Sequence, residues 1–298
     1  MKDSPHFSNT LVCVVLYNPS DSELSNSLDN LAQFNNVILI DNSKKKCHIN
    51  FDKGLHLHFP ENIGLSASYN KALEHANIEK HEWLFLLDQD SLLPKNIWQS
   101  IYSEKIPLTN SIALINIPPK KSKRPKRRFN QMIPISSGSI LHVQSAKDIG
   151  NFDERYFIDA VDFEFGSRIL ESGYNLFHCQ NTFISHSVGN SDANYPTLNH
   201  QPIRYYFITR NYLMLYHQFI NSPNKLVKVR AKKCLKGLIK HIQETSKETY
   251  KNEKRKLIAL GIIDFLKQNF KNKNIGQLNA LPSNQDLITE IKSLNDKQ

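Results

Sequence analysis

Three short apolar runs near the start of the chain constrain its fold most strongly. They cover residues 11–16, 37–40 and 84–87, and each is apolar on both faces of an extended chain. Runs of this kind are typical of strands that are covered by helices on both sides. Amphipathic segments over residues 24–31 and 65–76 separate the runs and predict helices. The alternation predicts an α/β fold with a Rossmann-like, mainly parallel central sheet that is flanked by helices.

The rest of the chain predicts a second half of the same domain and a helical extension. Short strand and helix patterns continue to about residue 220, and the chain is then rich in lysine and helical in pattern. We therefore expect one α/β domain over residues 1–220, with halves at about 1–117 and 130–220. Residues 221–298 are expected to form a basic helical C-terminal extension.

The composition is that of a globular protein, with 298 residues of which 40% are hydrophobic and 22% are charged. Its apolar runs are far shorter than the roughly 20 residues that a bilayer-spanning helix needs. The first residues do not resemble a secretory signal, so we expect a cytoplasmic protein. The glycine-rich phosphate loops of dinucleotide-binding and P-loop enzymes are absent from the sequence. The four cysteines are too far apart to predict a zinc site or a disulfide framework.

Acidic residues follow two of the predicted strands, at the point where each strand ends. Asp41 comes directly after residues 37–40, and Asp88 and Asp90 come after residues 84–87. Ligands of open α/β sheets bind at this edge. Because Asp88 and Asp90 project to the same side, they predict a Mg²⁺ or Mn²⁺ ion that is held together with substrate phosphates; the alternative is a helix cap or a solvated pair. Asp41 is either an acceptor for a uracil or thymine N–H or a ribose hydroxyl, or part of a tight turn.

A second acidic group stands within an apolar stretch. Asp159, Asp162 and Glu164 lie within six residues of one another and have aromatic neighbours. One interpretation makes one of them a general base that takes a proton from an acceptor hydroxyl. The alternative is that Asp162 and Glu164 stabilise the start of a helix.

Basic residues are in excess, and the formal net charge is +10. Seven of the nine residues at 120–128 are basic. We interpret this segment either as a solvated loop or as a lip that contacts anionic lipid headgroups or an acceptor diphosphate. Arg204 and Arg210 suit a diphosphate but could equally lie on a helix surface, and His186 is either structural or a ligand. A non-enzymatic protein that binds nucleic acid or a membrane explains the charge but not the acids at the strand ends.

The order and spacing of these motifs resemble those of the inverting glycosyltransferases of family 2, and most closely their rhamnosyltransferase branch. Asp88, Gln89, Asp90 and Ser91 stand where Asp-Asp-Asp is common elsewhere in the family, and this difference points to the rhamnosyl branch. The matching segments, in chain order, are residues 14–19, 40–43, 62–64 with Asn70, 86–91, 137–139, 157–159 with 161–164, 186–189, and 205–206 with 210–211.

The resemblance implies a GT-A fold, a nucleotide-sugar donor and a divalent cation, Mg²⁺ or Mn²⁺. It implies that Asp41 contacts the nucleotide base and that Asp88 faces the nucleotide and its ribose. Asp90 would bind the metal, with His186 near the metal or the diphosphate. The other positions implied to contact the nucleotide sugar are Tyr17, Asn62, Asn70, Gln89, Ser137, Gly138, Arg204 and Arg210.

The resemblance also implies that Asp162 is the catalytic base, since it aligns with the family's acidic motif upstream of a helical arginine, here Arg168. Glu164 and Asp159 would be supporting acids. At residues 166–167, glycine and serine replace the bulkier residues that the family often carries before that arginine. This departure concerns the acceptor pocket.

The implied activity is the inverting transfer of a sugar, L-rhamnose from dTDP-rhamnose, to a glycan acceptor. The acceptor would be lipid-linked and used in O-antigen, capsule or other bacterial cell-surface polysaccharide synthesis. Peripheral contact with the anionic inner face of the membrane is therefore expected, and nucleic acid is not expected as a partner. A UDP-hexose-dependent enzyme of the same family and the non-enzymatic basic protein remain the alternatives. A nucleotidyltransferase is disfavoured because its usual glycine-rich basic N-terminal loop is absent.

Overall fold

The computed structural model describes residues 7–107, 111–120, 128–130, 132–186, 200–270 and 286. These residues fall into two compact units. The first unit lies within residues 1–154 and 161–187, and the second lies within residues 155–160 and 188–298. The strands and five of the α-helices of the described residues belong to the first unit, and three α-helices belong to the second.

A seven-stranded sheet is the centre of the first unit. Its strand order is β3-β2-β1-β4-β7-β6-β8, and a separate antiparallel pair is formed by β5 and β9. In the large sheet, β7 is antiparallel to both of its neighbours and the other pairings are parallel. The strands are β1 (Thr10–Leu16), β2 (Val37–Asp41), β3 (Gly54–His58), β4 (Trp83–Asp88), β5 (Ser91–Leu92), β6 (Ile112–Asn116), β7 (Ser139–His142), β8 (Asn175–His178) and β9 (Ser185–His186).

The helices of the first unit connect these strands. The helix after β1 begins as predicted, because the Ser20 hydroxyl accepts a hydrogen bond from the Glu23 N–H and the Glu23 carboxylate accepts one from the Ser20 N–H. The helices of this unit are α1 (Asp21–Leu31), α2 (Leu65–Ile78), α3 (Ile97–Ser103), α4 (Val143–Asp148) and α5 (Val161–Glu171).

The three apolar runs of the sequence form buried strands of the large sheet. β2 is buried at all five positions, and β1 and β4 are each buried at all but one. Alternate side chains of these strands, Phe85 among them, pack in one core with the aromatic rings of Phe34 and Trp98. The predicted α/β fold with a mainly parallel sheet and flanking helices is confirmed.

The apolar pattern of the sequence does not predict β3. Its residues, Gly-Leu-His-Leu-His, are half-buried or exposed because the strand lies at the edge of the sheet. An edge strand needs fewer apolar residues than a central one, so its pattern is weak. The strand is nevertheless important for the site, since it carries His56 and His58 beside the end of β2.

The second unit is helical and consists of α6 (Pro202–Phe219), α7 (Lys225–Glu244) and α8 (Lys251–Leu266). Tyr205, Tyr206 and Phe207 of α6 pack in one core with Leu257 and Leu260 of α8. The helical unit therefore includes α6, whereas the sequence analysis placed this segment in the α/β domain and began the extension at residue 221. The aromatic face of α6 accounts for the difference.

Two other expectations concern the cysteines and membrane-spanning helices. The four cysteines are free thiols, and burial raises the pKa of Cys13 and Cys179 far above their usual range. Within the described ranges, no helix combines the length and the apolar character needed to cross a bilayer.

Candidate active site

The carboxyl ends of β1, β2 and β4 bring two of the predicted acids to one edge of the sheet. Asp41 ends β2 in register with Leu16 of β1, and Asp88 ends β4 in register with Val15. Adjacent strands are about 4.8 Å apart, so the two aspartates flank the end of β1 with a backbone separation of about 10 Å. This edge is where a ligand of an α/β sheet is expected.

Asp41 is fully buried and organises the loop after β2. Its Oδ1 accepts a hydrogen bond from the Ser43 N–H at 3.0 Å, and its Oδ2 accepts one from the Cys47 N–H at 2.8 Å. His56 Nε2 lies 3.3 Å from the same Oδ2. Burial raises the pKa of the Asp41 carboxyl, but the hydrogen bonds from Cys47 and Ser43 outweigh burial and hold the pKa below its usual range. A charged Asp41 thus fixes this loop, and its predicted contact with a nucleotide base stays a prediction.

Backbone donors after β1 connect the neighbouring loops. The Tyr17 N–H donates to Gln89 Oε1 at 2.8 Å, and the Asn18 N–H donates to Ser43 Oγ at 2.8 Å. These bonds join the loops after β1, β4 and β2. Tyr17 is 45% exposed. Its ring is therefore available to a ligand at this edge, whereas the Gln89 amide oxygen has a structural contact.

The two predicted asparagines have local partners. Asn62 Oδ1 accepts a hydrogen bond from the Gly64 N–H at 2.8 Å, and Gly64 caps α2 with a φ of 84°, a conformation that favours glycine. Asn70 donates to the Phe152 carbonyl and to the Glu154 carboxylate, both at 2.9 Å, and accepts from the Phe152 N–H. These bonds give Asn70 a structural explanation, because they fix the loop at 152–154 to α2. Contact of either asparagine with the donor stays a prediction.

Ser137 and Gly138 support the loop that carries Asp88 and Asp90. The Asp88 N–H donates to Ser137 Oγ at 3.1 Å, and Ser137 Oγ is 2.6 Å from Ser91 Oγ. Gly138 has a φ of +83°, and a Cβ at this position would lie 2.4 Å from the Ile117 carbonyl oxygen. A side chain at residue 138 would therefore displace the backbone. Asp88 and Asp90 are half-buried.

The donor set at this loop fits a hard divalent cation. Mg²⁺ is commonly held by one or two carboxylates together with phosphate oxygens and water, and Asp88 and Asp90 can supply those carboxylates. Across the described residues, no three His, Cys, Asp or Glu side chains form a metal-binding group. His186 pairs in register with Ser91 in the β5–β9 ladder, while its side chain lies outside the described part of the structure.

Asp162 and Glu164 lie on different sides of the helix α5. Two residues along an α-helix are about 200° apart around its axis, and accordingly Glu164 is buried while Asp162 is half-buried. Arg168 donates from Nε to Glu164 Oε1 at 2.6 Å and from Nη2 to Oε2 at 2.8 Å. The same guanidinium donates to the carbonyls of Ile149 and Asn151 at 2.5 and 2.6 Å. Glu164 is therefore a positioning residue, and Asp162 keeps solvent access in the first turn.

Asp159 lies in a turn of the second unit directly before α5 in the chain. Asp159 and Ala160 have φ values of 62° and 64°, which are uncommon for residues other than glycine. Asn211 donates from Nδ2 to the carbonyls of Ile158 and Asp159 at 2.7 and 3.0 Å. Arg204 forms an ion pair with the Asp159 carboxylate. Burial lowers the pKa of Arg204, but the carboxylate more than compensates and raises it.

Arg210 does not reach solvent. It is fully buried and donates to the Arg155 carbonyl at 2.6 Å, to Asn211 Oδ1 at 3.1 Å and to the Tyr206 hydroxyl at 3.3 Å. Its predicted contact with a diphosphate has no support in this geometry, and a structural role in the helical unit explains its burial. Arg204 keeps a partly exposed side chain.

The predicted basic lip is described only at its ends. Residues 121–127 lie outside the described residues. Lys120 is exposed, whereas Arg128 donates to the backbone carbonyl of Glu104 at 2.6 Å and to its carboxylate at 3.3 Å. Glu104 is fully buried and also accepts three N–H groups from residues 180–182. Arg128 thus belongs to a structural network.

Three residues that make structural contacts have no predicted role from the sequence. His56 could not be placed because β3 was not predicted. Asn211 ends a matching segment and Arg168 follows the acidic motif, but the sequence does not indicate which carbonyls and carboxylates their side chains contact.

Comparison with known proteins gives the same type of fold. No protein-family model matches the chain. The chain is 23% identical over 237 residues to the dTDP-rhamnosyl transferase RfbF of Shigella flexneri. The alignment covers 70% of this chain and 80% of that protein. Among solved structures, it is similar to S. aureus TarS 1–349 in complex with UDP, with a TM-score of 0.56, 16% identity, and coverage of 86% of this chain and 80% of that one.

The complex of the same TarS segment with UDP-GlcNAc is also similar. Its TM-score is 0.51 at 15% identity, and the match covers 87% of this chain and 80% of that chain. The chain therefore has the fold of TarS, a mainly parallel sheet flanked by helices with a helical C-terminal part.

Proposed function

We propose that this chain is a glycosyltransferase that binds a nucleotide sugar at the carboxyl edge of β1, β2 and β4. The observation that carries the proposal is the placement of Asp41 and Asp88 on the two sides of the end of β1, with Asp90 in the loop that follows. The similarity of the fold to that of TarS, which was solved with UDP and with UDP-GlcNAc, supports a nucleotide-sugar donor.

The proposed donor is dTDP-L-rhamnose. The support is the alignment with a dTDP-rhamnosyl transferase over 70% of this chain, together with the Asp-Gln-Asp-Ser sequence at residues 88–91. The proposed acceptor is a glycan, carried on a lipid, in the synthesis of O-antigen, capsule or another cell-surface polysaccharide. We also propose that the enzyme acts in the cytoplasm.

In the proposed reaction, Asp162 acts as the general base. Its carboxylate takes the proton from an acceptor hydroxyl, whose oxygen attacks the anomeric carbon from the face opposite the diphosphate. The carbon–oxygen bond to the diphosphate breaks, and the configuration at the anomeric carbon is inverted. Asp162 is the better candidate on α5 because it is half-buried, whereas Glu164 is buried.

A divalent cation fits the proposed donor site. Asp90, with Asp88 beside it and His186 as a further proposed ligand, would hold Mg²⁺ or Mn²⁺ against the diphosphate. The bound ion would offset the negative charge of the nucleoside diphosphate. Tyr17 and Arg204, which are partly exposed, remain proposed contacts of the donor.

A UDP-hexose is the second candidate donor. The similar TarS structures contain UDP and UDP-GlcNAc, and a base contact through Asp41 would accept the N–H of uracil as readily as that of thymine. In this case the fold and the proposed displacement are unchanged, and only the sugar and base specificity differ.

The test is calorimetric binding of dTDP-rhamnose, UDP-glucose, UDP-galactose and UDP-GlcNAc, each with and without Mg²⁺ or Mn²⁺. Metal-dependent binding of dTDP-rhamnose in preference to the others is expected. The variant Asp90→Asn should lose the metal dependence, while Asp29→Asn, a change of an exposed acid on α1, should bind as the native protein does. Preference for a UDP-sugar selects the second candidate, and absence of binding by all four overturns the proposal.

A further inference from the structure

The helix α7 carries an unusual concentration of positive charge on its outer face. Seven of its twenty residues are lysine or arginine, and its one acidic residue is Glu244 at the C-terminal end. The exposed cations are all lysines, at positions 225, 232, 233, 236 and 240. They extend over sixteen residues, or about 23 Å of helix.

The opposite face of α7 is fixed in the core of the helical unit. Val227, Ala231, Cys234 and Leu238 are buried, and their spacing places them on one side of the helix. The lysine positions follow the same helical period half a turn away. The lysines therefore form a continuous outward stripe, and substitutions in the stripe leave the packing face intact.

Apolar side chains lie within this stripe. Val229 is 38% exposed and Ile239 is 50% exposed. A helix that combines lysines with exposed aliphatic residues on one surface is typical of proteins that rest on anionic bilayers, where the lysines meet headgroup phosphates and the aliphatic groups enter the boundary with the acyl chains.

We propose that the exposed face of α7 is a docking surface for a membrane rich in acidic phospholipid. The positive charge of the lysines favours an anionic partner. The exposed aliphatic residues among those lysines favour a lipid surface. The single arginine of the helix, Arg230, is half-buried, and α7 contains no Phe, Tyr or Trp. Proteins that bind nucleic acid through a helix commonly use arginine for base contacts and aromatic rings for stacking. Lysine is a flexible point charge that suits a fluid array of phosphates.

The inference goes beyond the transfer reaction, and its test uses no donor or acceptor. A failure of the docking surface is therefore distinguishable from a failure of the proposed activity. The full chain is mixed with vesicles of phosphatidylcholine and phosphatidylglycerol, and separately with vesicles of phosphatidylcholine alone, and the bound fraction is measured by sedimentation. Duplex DNA of arbitrary sequence is the competing probe.

The decisive variant replaces Lys225, Lys232 and Lys236 with glutamine. Each lysine near an acidic bilayer contributes roughly a fivefold gain in partition, so the triple variant should bind acidic vesicles about 100-fold more weakly. The control variant replaces Lys71, Lys95 and Lys147, three exposed lysines of the first unit, with glutamine. It has the same net charge, and it should retain binding within about threefold of the native protein if the effect is local to α7. Circular dichroism establishes that both variants are folded.

Salt and the apolar residues give two further readouts. Because the screening length falls from about 10 Å at 0.1 M salt to about 3 Å at 1 M, binding should weaken strongly over that range. The variant Ile239→Ser should bind more weakly than the native protein at either salt concentration. The proposal is overturned if the triple and control variants bind equally, if neutral vesicles bind as well as acidic ones, or if DNA is bound and acidic vesicles are not.

Discussion

Arg168 and Glu164 form a two-point ion pair one helical turn apart in α5, with distances of 2.6 Å from Nε to Oε1 and 2.8 Å from Nη2 to Oε2. The same guanidinium reaches the carbonyls of residues 149 and 151. The pair therefore joins the start of α5 to the loop after α4, and it fixes the helix whose first turn carries Asp162.

Replacement of Glu164 with glutamine should destabilise the protein. The change leaves the partly buried Arg168 without its counter-charge, and the loss of charge-assisted hydrogen bonds should lower the free energy of unfolding by about 2–3 kcal/mol. Urea denaturation measures this change. The control is Glu171→Gln on the same helix, where the side chain is exposed and a change within about 0.5 kcal/mol is expected. Equal effects of the two substitutions would contradict the positioning role of Glu164.

Replacement of Asp162 with asparagine should lower the rate of transfer and leave donor binding unchanged. The amide cannot accept the proton of the acceptor hydroxyl, so the rate of transfer should fall by about 10²–10⁴-fold. Donor binding, measured by calorimetry, should stay close to that of the native protein. Transfer at the native rate would show that Asp162 is not the base.

The central strands could be predicted because the apolar residues that they bury are consecutive in the sequence. β1, β2 and β4 are covered on both faces, which requires runs of apolar residues, and the position of Asp41 and Asp88 follows from where those runs end. β3 was missed because an edge strand with exposed residues has no such run. The reason is physical, because the spacing of apolar residues indicates which residues are buried and only indirectly indicates which are hydrogen-bonded in a strand.

The roles of the charged side chains were much less predictable. Arg204 and Arg210 are six residues apart on α6 and have the same chemistry, yet the first is partly exposed beside Asp159 and the second is fully buried. Helical position alone cannot decide this, because burial of an arginine depends on the carbonyls and rings that other segments bring to it. For the same reason, the sequence left open whether Asp41 binds a ligand or holds a turn.

The turn at Asp159 and Ala160 provides a third prediction. Both residues have positive φ values, and Asn211 satisfies the carbonyls of Ile158 and Asp159. The variant Asn211→Ala removes both hydrogen bonds and also the Oδ1 acceptor of the Arg210 Nε–H. We expect the free energy of unfolding to fall by about 1–3 kcal/mol. The control is Asn221→Ala, at an exposed position after α6, where little change is expected.

Restoring the amide with Asn211→Gln, whose side chain is longer, should recover stability only in part, because the two bonds require a short reach. A variant that is as stable as the native protein would show that Asn211 does not maintain the turn.

The pH dependence of stability gives the last prediction. His178 on β8 is fully buried, and burial lowers its pKa from 6.5 to about 4. Because the pKa is lower in the folded chain, the unfolded chain binds more protons between pH 6.5 and 4, and stability falls as the pH decreases through this window. The histidine alone should account for about 2 kcal/mol of stability lost between pH 7 and pH 5.

Burial also lowers the pKa of His200 and His241, so the native profile contains several contributions of the same sign. The variant His178→Gln isolates one of them, because glutamine does not titrate. Its stability should be lower at pH 7, where packing is lost, but it should change less than the native protein does between pH 7 and pH 5. Urea denaturation of both proteins at the two pH values measures the difference. Parallel profiles would show that His178 is not kept neutral by burial.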